Sequence, residues 1–180
     1  MRIRAVSRRD HVLLAEMRYA FRTELEEGNQ PRDAFVARMT AWLDQHLPDA
    51  SDGARDAGHG AFRAWRGWLA VDDPGEELIG HVFLHLMEKV PNPVPEPELI
   101  GYVTNLYVVP QQRGRGLGAL LLEQATRECR DLGCDSVVLW PSPRSVSLYE
   151  RHGFRRPGRV MELGIYSHPE EPEPGLAGIY

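Results

Sequence analysis

The sequence has few cysteines and no long apolar run, and each shortage argues against a class of protein. Cys129 and Cys134 are the only cysteines, and their spacing matches no zinc-binding pattern, so we expect two buried free thiols. No apolar run approaches the roughly 18 residues that suggest a membrane span, and the N-terminus lacks the apolar segment of a signal peptide. We therefore expect a cytoplasmic protein that neither spans a membrane nor holds a metal.

Basic residues are outnumbered by acidic ones. The 21 basic residues, of which Lys89 is the only lysine, stand against 26 acidic residues and leave a formal net charge of −5. Because nucleic-acid binding needs a basic surface, this balance argues against a nucleic-acid partner. The 180 residues, 42% hydrophobic and 26% charged, are typical of one soluble globular domain with a substantial core.

The most informative stretch, residues 102–122, is predicted to run from a strand through a glycine-rich segment into a helix. The first amides of a helix have no partner within the helix, and the helix dipole adds partial positive charge there. Glycines let the backbone approach a ligand, and arginines add full charges. The segment therefore predicts a phosphate or pyrophosphate site at Arg113, Gly114, Arg115, Gly116, Leu117 and Gly118.

The spacing of this segment separates several nucleotide-binding motifs. A P-loop is excluded because no lysine follows Gly116 or Gly118. Gly114, Gly116 and Ala119 mimic a dinucleotide-binding pattern, with Asp135 near the distance expected for a ribose-binding acid. However, the ribose-binding acid should lie at the end of the next apolar run, whereas Asp135 lies at its start. In addition, only about 60 residues follow the loop, which is too few for the rest of a dinucleotide-binding domain.

Hydrophobic periodicity predicts the order β-α-α-β-β-β-α-β-α-β. The first helix follows a capping box at residues 7–10 and ends at Gly28-Asn29. The later elements are predicted at Arg32–Leu47, Ala61–Asp72, Glu77–Lys89, Leu99–Val109, Gly116–Leu132, Asp135–Trp140, Pro143–His152 and Phe154–Ile165.

Two further features of the chain have an open role. His81 and His85 share one face of a predicted strand, and we interpret them as polar residues on a partly wet face, since no third metal ligand stands at a suitable spacing. Pro91–Glu98 alternates proline with acidic or amide residues and predicts an extended loop. Its place before the central strand makes it a candidate lid over a substrate.

Two motifs resemble the GNAT superfamily of N-acetyltransferases. Gln111, Gly114 and Gly116 match its motif A, [QR]-x-x-G-x-[GA]. Residues 142–154 resemble its N-x-x-A-x-x-x-Y-x-x-x-G-F segment, with Tyr149, Gly153 and Phe154 in register. Two positions depart from this segment, since the usual asparagine is Ser142 and the usual alanine is Ser145.

The resemblance implies a GNAT fold of the α/β (α+β) class over residues 1–166, followed by a Pro/Glu-rich tail over residues 167–180. It implies a mixed sheet of six to seven strands with helices on both faces, and possible homodimers by analogy with relatives. The implied cosubstrate is acetyl-CoA, with no metal. Its pyrophosphate would lie on the glycine-rich segment, its pantetheine arm on the backbone of Leu106, Tyr107 and Val108, and a further contact at Ser142.

The implied reaction is direct transfer of an acetyl group to an amine. Tyr149, by resemblance, donates a proton to the departing sulfur. Deprotonating the amine is the larger demand, because an alkyl amine is neutral in only about one molecule in 2,500 at pH 7. Glu24 is the best carboxylate candidate for the base, because the first helices of this fold border the acceptor site. Thr104 and Asn105 cannot take a proton, so His81, His85 or a water relay remain alternatives.

The acceptor and even the catalytic role stay open at this level. Acidic clusters at Glu24–Glu27 and Glu96–Glu98 mildly favour a cationic small-molecule amine, although a protein N-terminus is an alternative. A second hypothesis is a GNAT-like module that binds acyl-CoA without turning it over. A third is a dinucleotide-binding protein. Tyr149 favours the enzyme among these three.

Overall fold

The computed structural model describes residues 1–24, 30–47, 65–73, 75–156, 158, 160, 161 and 163. Contacts divide the chain into two units, Met1–Val138 and Leu139–Tyr180, and each is described by itself. The predicted helix end at Gly28-Asn29, the strand start at residues 61–64 and the tail over residues 167–180 lie outside the described residues.

The first unit is built on one mixed sheet whose strands lie in chain order. Neighbouring strands are antiparallel in every pair except the last pair in the chain, which is parallel. The strands are β1 Arg2–Ala5, β2 Trp65–Asp72, β3 Glu77–Glu88, β4 Leu99–Val108 and β5 Ser136–Val138.

The structure thus describes five strands where six to seven were predicted. The prediction of a last strand at Phe154–Ile165 lies partly outside the described residues, and those of its residues that are described form no strand. The remaining strand and helix assignments agree with the sequence to within a few residues, because each is bounded by glycine, proline or a capping residue.

Helices of the first unit cover both faces of its sheet. The helices are α1 His11–Thr23, α2 Arg32–His46, α3 Leu117–Asp131 and, in the second unit, α4 Val146–Arg151. Phe83 packs with α1 and α2 in one core cluster, which includes Leu14 and Leu43. On the other face α3 lies so close that a Cβ at Gly101 would be 2.5 Å from the sulfur of Cys129. The glycine therefore allows the helix to contact the sheet.

Both cysteines are free, as predicted. Cys129 lies on the face of α3 that contacts the sheet, and burial together with Cys134 raises the pKa of its thiol to about 12. Cys134 is half-buried, so its burial is less complete than predicted. Because its pKa is so high, the Cys129 thiol stays protonated and unreactive at neutral pH. Among the described residues, no helix combines the length and the apolar character that crossing a membrane requires.

A bulge in β4 decides which side chains face α1. Residues two apart in a regular strand share a face, so Thr104 would be followed on its face by Leu106. Instead Phe83 pairs with Thr104 while His81 pairs with Tyr107, which leaves one extra residue in β4. Asn105 lies there with a φ of +53°. Tyr107 therefore occupies the face covered by α1.

Candidate active site

The glycine-rich segment forms an open loop ahead of α3. Gly114 and Gly116 have φ values of +78° and +81°, a region that favours glycine, and Gly116 is the N-cap of α3. A Cβ at either position would meet nothing within 4 Å. Among the described residues, no acceptor is found for the main-chain amides of residues 114–119. These amides are therefore available to an anion from outside the chain.

The edge of β4 that leads to this loop is open. β5 pairs with β4 only from Ile100 to Tyr102, and in the described part of the chain no strand pairs with this edge beyond Tyr102. Residues 103–108 of β4, which include the predicted contacts Leu106, Tyr107 and Val108, thus have β3 as a neighbour on one side only, and on the other side the carbonyl of Val108 accepts from Arg113. An open strand edge can pair with an extended molecule that carries amide groups.

Arg113 does not extend into the loop but folds back onto β4 and α1. Its Nε donates to the carbonyl of Val108 at 2.9 Å, and its Nη2 lies 2.7 Å from a carboxylate oxygen of Glu24. The guanidinium also lies over the ring of Tyr107, 5.5 Å from its centroid. Arg113 therefore connects the end of α1 to the end of β4. Arg115 contacts the side chain of Gln112 and is exposed.

Glu24, the predicted base, is already engaged on both carboxylate oxygens. The Tyr107 hydroxyl donates to Oε1, and Arg113 donates to Oε2. Its side chain is 26% exposed, so a partner could still reach it. An amine that approached Glu24 would have to displace one of these two donors. This geometry favours a role for Glu24 in holding Tyr107 and Arg113 in place.

The histidines offered as alternative bases differ in their surroundings. His81 is fully buried, and neither ring nitrogen has a hydrogen-bond partner among the described residues. Burial, with a smaller effect of the Arg18 charge, lowers the pKa of His81 to about 3. The prediction of a partly wet face was wrong for His81, because α1 covers it. His85 is half-buried, with its ring 4.7 Å from that of Trp65.

The second unit holds the other predicted site residues. Ser142 and Ser145 exchange a hydrogen bond between their hydroxyls at 3.0 Å, and Ser145 lies one turn before Tyr149 on α4. Burial raises the pKa of Tyr149 to about 12, against a hydrogen bond with Ser145 that lowers it. The Tyr149 ring packs edge-on against Phe154 at 5.7 Å. The phenol therefore keeps its proton at neutral pH.

The part of the chain that contains β4 and the glycine loop before α3 matches a known family. The family model described as "Acetyltransferase (GNAT) family" matches residues 31–154. The chain belongs to the GNAT acetyltransferases. The match covers the glycine loop and the segment of Tyr149, so both motifs found in the sequence lie inside it.

Two relatives of this chain are named as acetyltransferases for different compounds. A mycothiol acetyltransferase from Arthrobacter sp. (strain FB24) is 30% identical over 79% of this chain and 38% of its own length. A glucosamine 6-phosphate N-acetyltransferase from Trypanosoma brucei brucei is 36% identical over 37% of this chain and 45% of its own length. The chain thus spans less than half of either relative.

A solved structure agrees with the GNAT fold. A predicted acetyltransferase from Clostridium acetobutylicum, crystallised with acetyl-CoA, matches with a TM-score of 0.67 over 91% of this chain and 95% of that chain. The two chains are 20% identical, so this likeness concerns the fold.

Sequence reasoning missed Arg18, which lies on the buried side of α1. Its guanidinium is 5.2 Å from the ring centroid of Phe21, and Nη1 is buried with no hydrogen-bond partner among the residues described. A signal was present in the sequence, since Arg18 follows Leu14 by four residues and so falls on the apolar stripe of the helix. Among the described residues, no group of three histidines, cysteines or carboxylates could hold a metal ion.

Proposed function

We propose that the protein is an N-acetyltransferase that transfers the acetyl group of acetyl-CoA to a small-molecule amine within a ternary complex. The observation that carries this proposal is the continuity of two open features on the same segment. Beyond Tyr102, the edge of β4 that has no neighbouring strand in the described part of the chain runs directly into the loop whose amides at residues 114–119 have no acceptor there. Pantetheine amides suit the first feature, and the pyrophosphate suits the second.

The proposed reaction moves one acetyl group and one proton. The amine nitrogen forms a bond to the acetyl carbon as the carbon–sulfur bond breaks, the amine loses a proton, and coenzyme A leaves and becomes a thiol. We assign Tyr149 to protonate the sulfur, and its high pKa keeps the phenol in the donor form at neutral pH. The high pKa of Cys129 supports direct transfer without a cysteine-bound intermediate.

Removal of the amine proton is assigned to water or to Glu24. The neutral, enclosed ring of His81 is unsuited to take a proton from solvent-accessible substrate. Glu24 would act only if the amine displaced Tyr107 or Arg113 from its carboxylate. The relative named for glucosamine 6-phosphate supports an amine acceptor, since it is named an N-acetyltransferase.

The test is turnover of acetyl-CoA by the full chain with a panel of small amines. Release of the coenzyme A thiol should exceed hydrolysis without amine, and mass spectrometry should detect the acetylated amine. Tight binding of acetyl-CoA without turnover by any amine would instead favour the acyl-CoA-binding module. Thermal stabilisation by NAD but not by coenzyme A would contradict the assignment of the loop.

A further inference from the structure

Arg18 is a half-buried positive charge for which the described residues provide no counter-charge. Nη1 is buried and makes no hydrogen bond, and among the described residues no carboxylate forms an ion pair with its guanidinium. Two described acids of this segment pair elsewhere, since Glu16 on α1 pairs with Arg32 and Glu24, just after α1, pairs with Arg113. Burial, with the like charge of Arg22, lowers the pKa of Arg18 to about 10, so the side chain is still charged at neutral pH. An unpaired buried charge is costly to maintain.

His81 provides a second unsatisfied group beside the same charge. Both of its ring nitrogens are buried without a partner, although buried polar atoms in proteins are nearly always hydrogen-bonded. The charge of Arg18 acts on His81, and the His81 ring lies 5.7 Å from that of Tyr107. Three polar atoms on α1 and β3 thus lack partners within the described chain. Of these two side chains, only the half-buried Arg18 is accessible to a polar group from outside the chain.

This place adjoins the proposed acetyl-transfer site. Arg18 stacks on Phe21, and the Phe21 ring is 4.8 Å from the ring of Tyr107 on β4. Tyr107 is one of the residues beside the bulge and the open edge of β4. The side chains of Phe21 and Tyr107 therefore connect Arg18 to β4, the strand proposed to bind acetyl-CoA. This is the face of the sheet covered by α1, whereas Cys129 and α3 lie on the other face.

We infer that the acceptor is an amine that also carries an anionic group, a carboxylate or a phosphate, which pairs with Arg18. This inference rests on the proposed function and names the substrate class for it. It reverses the cationic preference suggested by the acidic clusters, because Glu24 is paired with Arg113, whereas Arg18 has no carboxylate partner among the described residues. Arginine binds both carboxylate and phosphate through paired hydrogen bonds.

The test compares matched amines at saturating acetyl-CoA, using the full chain. One pair is alanine and alaninamide, and the other is phosphoethanolamine and ethanolamine, so each pair differs in its anionic group. We expect kcat/KM for at least one anionic member to exceed that of its neutral partner by at least about tenfold, as for a charge-assisted hydrogen bond. The pair that shows the preference distinguishes carboxylate from phosphate.

Variants attribute this preference to Arg18. Arg18→Met should abolish it while leaving the KM for acetyl-CoA unchanged, and Arg18→Lys should retain part of it. Because Arg18→Met removes an unpaired charge, its melting temperature should equal or exceed that of the wild type, whereas loss of a purely structural arginine would lower it. Arg127→Met, at an exposed position of α3, is the matched control and should keep the full preference.

The outcomes separate this inference from the proposed function. Equal or better use of the neutral amines, or a preference that persists in Arg18→Met, overturns the inference and leaves the acetyltransferase assignment intact. If acetyl-CoA binds but no amine is acetylated, the proposed function fails. In that case the same amines are tested for thermal stabilisation of the coenzyme A complex, and a shift that is equal in Arg18→Met and wild type overturns the inference.

Discussion

At the scale of a single residue, Gly116 should be required for the binding of acetyl-CoA. Its φ of +81° costs an alanine roughly 1 to 2 kcal/mol, and the added Cβ would project into the open space by the loop amides. We expect Gly116→Ala to weaken acetyl-CoA binding at least about tenfold, measured by calorimetry. Gly133→Ala is the control, because Gly133 has a similar φ of +69° and equally open surroundings at the other end of α3. It should lose similar stability with no loss of affinity, and equal affinity in both variants would contradict the phosphate site.

Tyr149 should affect chemistry more than binding. A positioned acid contributes on the order of 10² to 10⁴ in rate, so Tyr149→Phe should lower kcat by about that factor with nearly unchanged affinity for acetyl-CoA. The packing of the ring against Phe154 is retained by phenylalanine. Tyr19→Phe, at a ring that contacts Phe35 on α2, is the matched control. An unchanged kcat in Tyr149→Phe would remove the phenol from the mechanism.

At the scale of secondary-structure elements, the pairing of β3 with β4 should determine the geometry of the proposed acetyl-CoA site. A Cβ at Gly80 would lie 2.7 Å from the backbone oxygen of Tyr107 and 3.2 Å from Leu121, so β4 or α3 must move. We expect Gly80→Ala to lower the free energy of unfolding by about 1 to 3 kcal/mol and to weaken acetyl-CoA binding. Denaturant unfolding and calorimetry measure both effects.

The control for this element is Gly75→Ala, in the turn between β2 and β3. A Cβ there meets nothing within 4 Å, so stability and affinity should both change little. If Gly80→Ala lost stability but kept full affinity, the bulge of β4 would not position the cofactor.

Acid stability of the whole first unit should depend on His81. The unfolded chain binds a proton at His81 near its ordinary pKa of 6.5, whereas the buried ring in the folded protein does so only near 3. Unfolding is therefore favoured as the pH falls through this window, by roughly 1.4 kcal/mol per pH unit. We expect His81→Phe to flatten the dependence of the unfolding free energy on pH between about 6.5 and 4. An unaltered slope would contradict the neutral, buried state of this histidine.

Asp10 should act at lower pH on the junction of β1 and α1. Burial alone would raise its pKa, but hydrogen bonds from Arg4 and Ser7 outweigh that effect and hold the pKa of Asp10 at about 2. The resulting stabilisation, about 2 kcal/mol, is complete above about pH 4 and is lost as the pH falls through 2. Asp10→Asn should therefore lower stability at pH 7 and converge with the wild type near pH 2. A constant difference at all pH values would show that the ion pair with Arg4 is not responsible.

The sequence by itself determined the chain order of the elements, the positive-φ glycines before α3 and both GNAT motifs. These depend on local rules, namely periodicity, capping and the absence of a Cβ, which act over a few residues. Tertiary structure alone decided which side chains meet. The bulge at Asn105 brings Tyr107 to the α1 face, and packing leaves buried nitrogens of Arg18 and His81 without partners in the part of the chain that the structure describes. The burial and the pairing of a side chain depend on segments that are distant in the sequence, so no short stretch of sequence determines them.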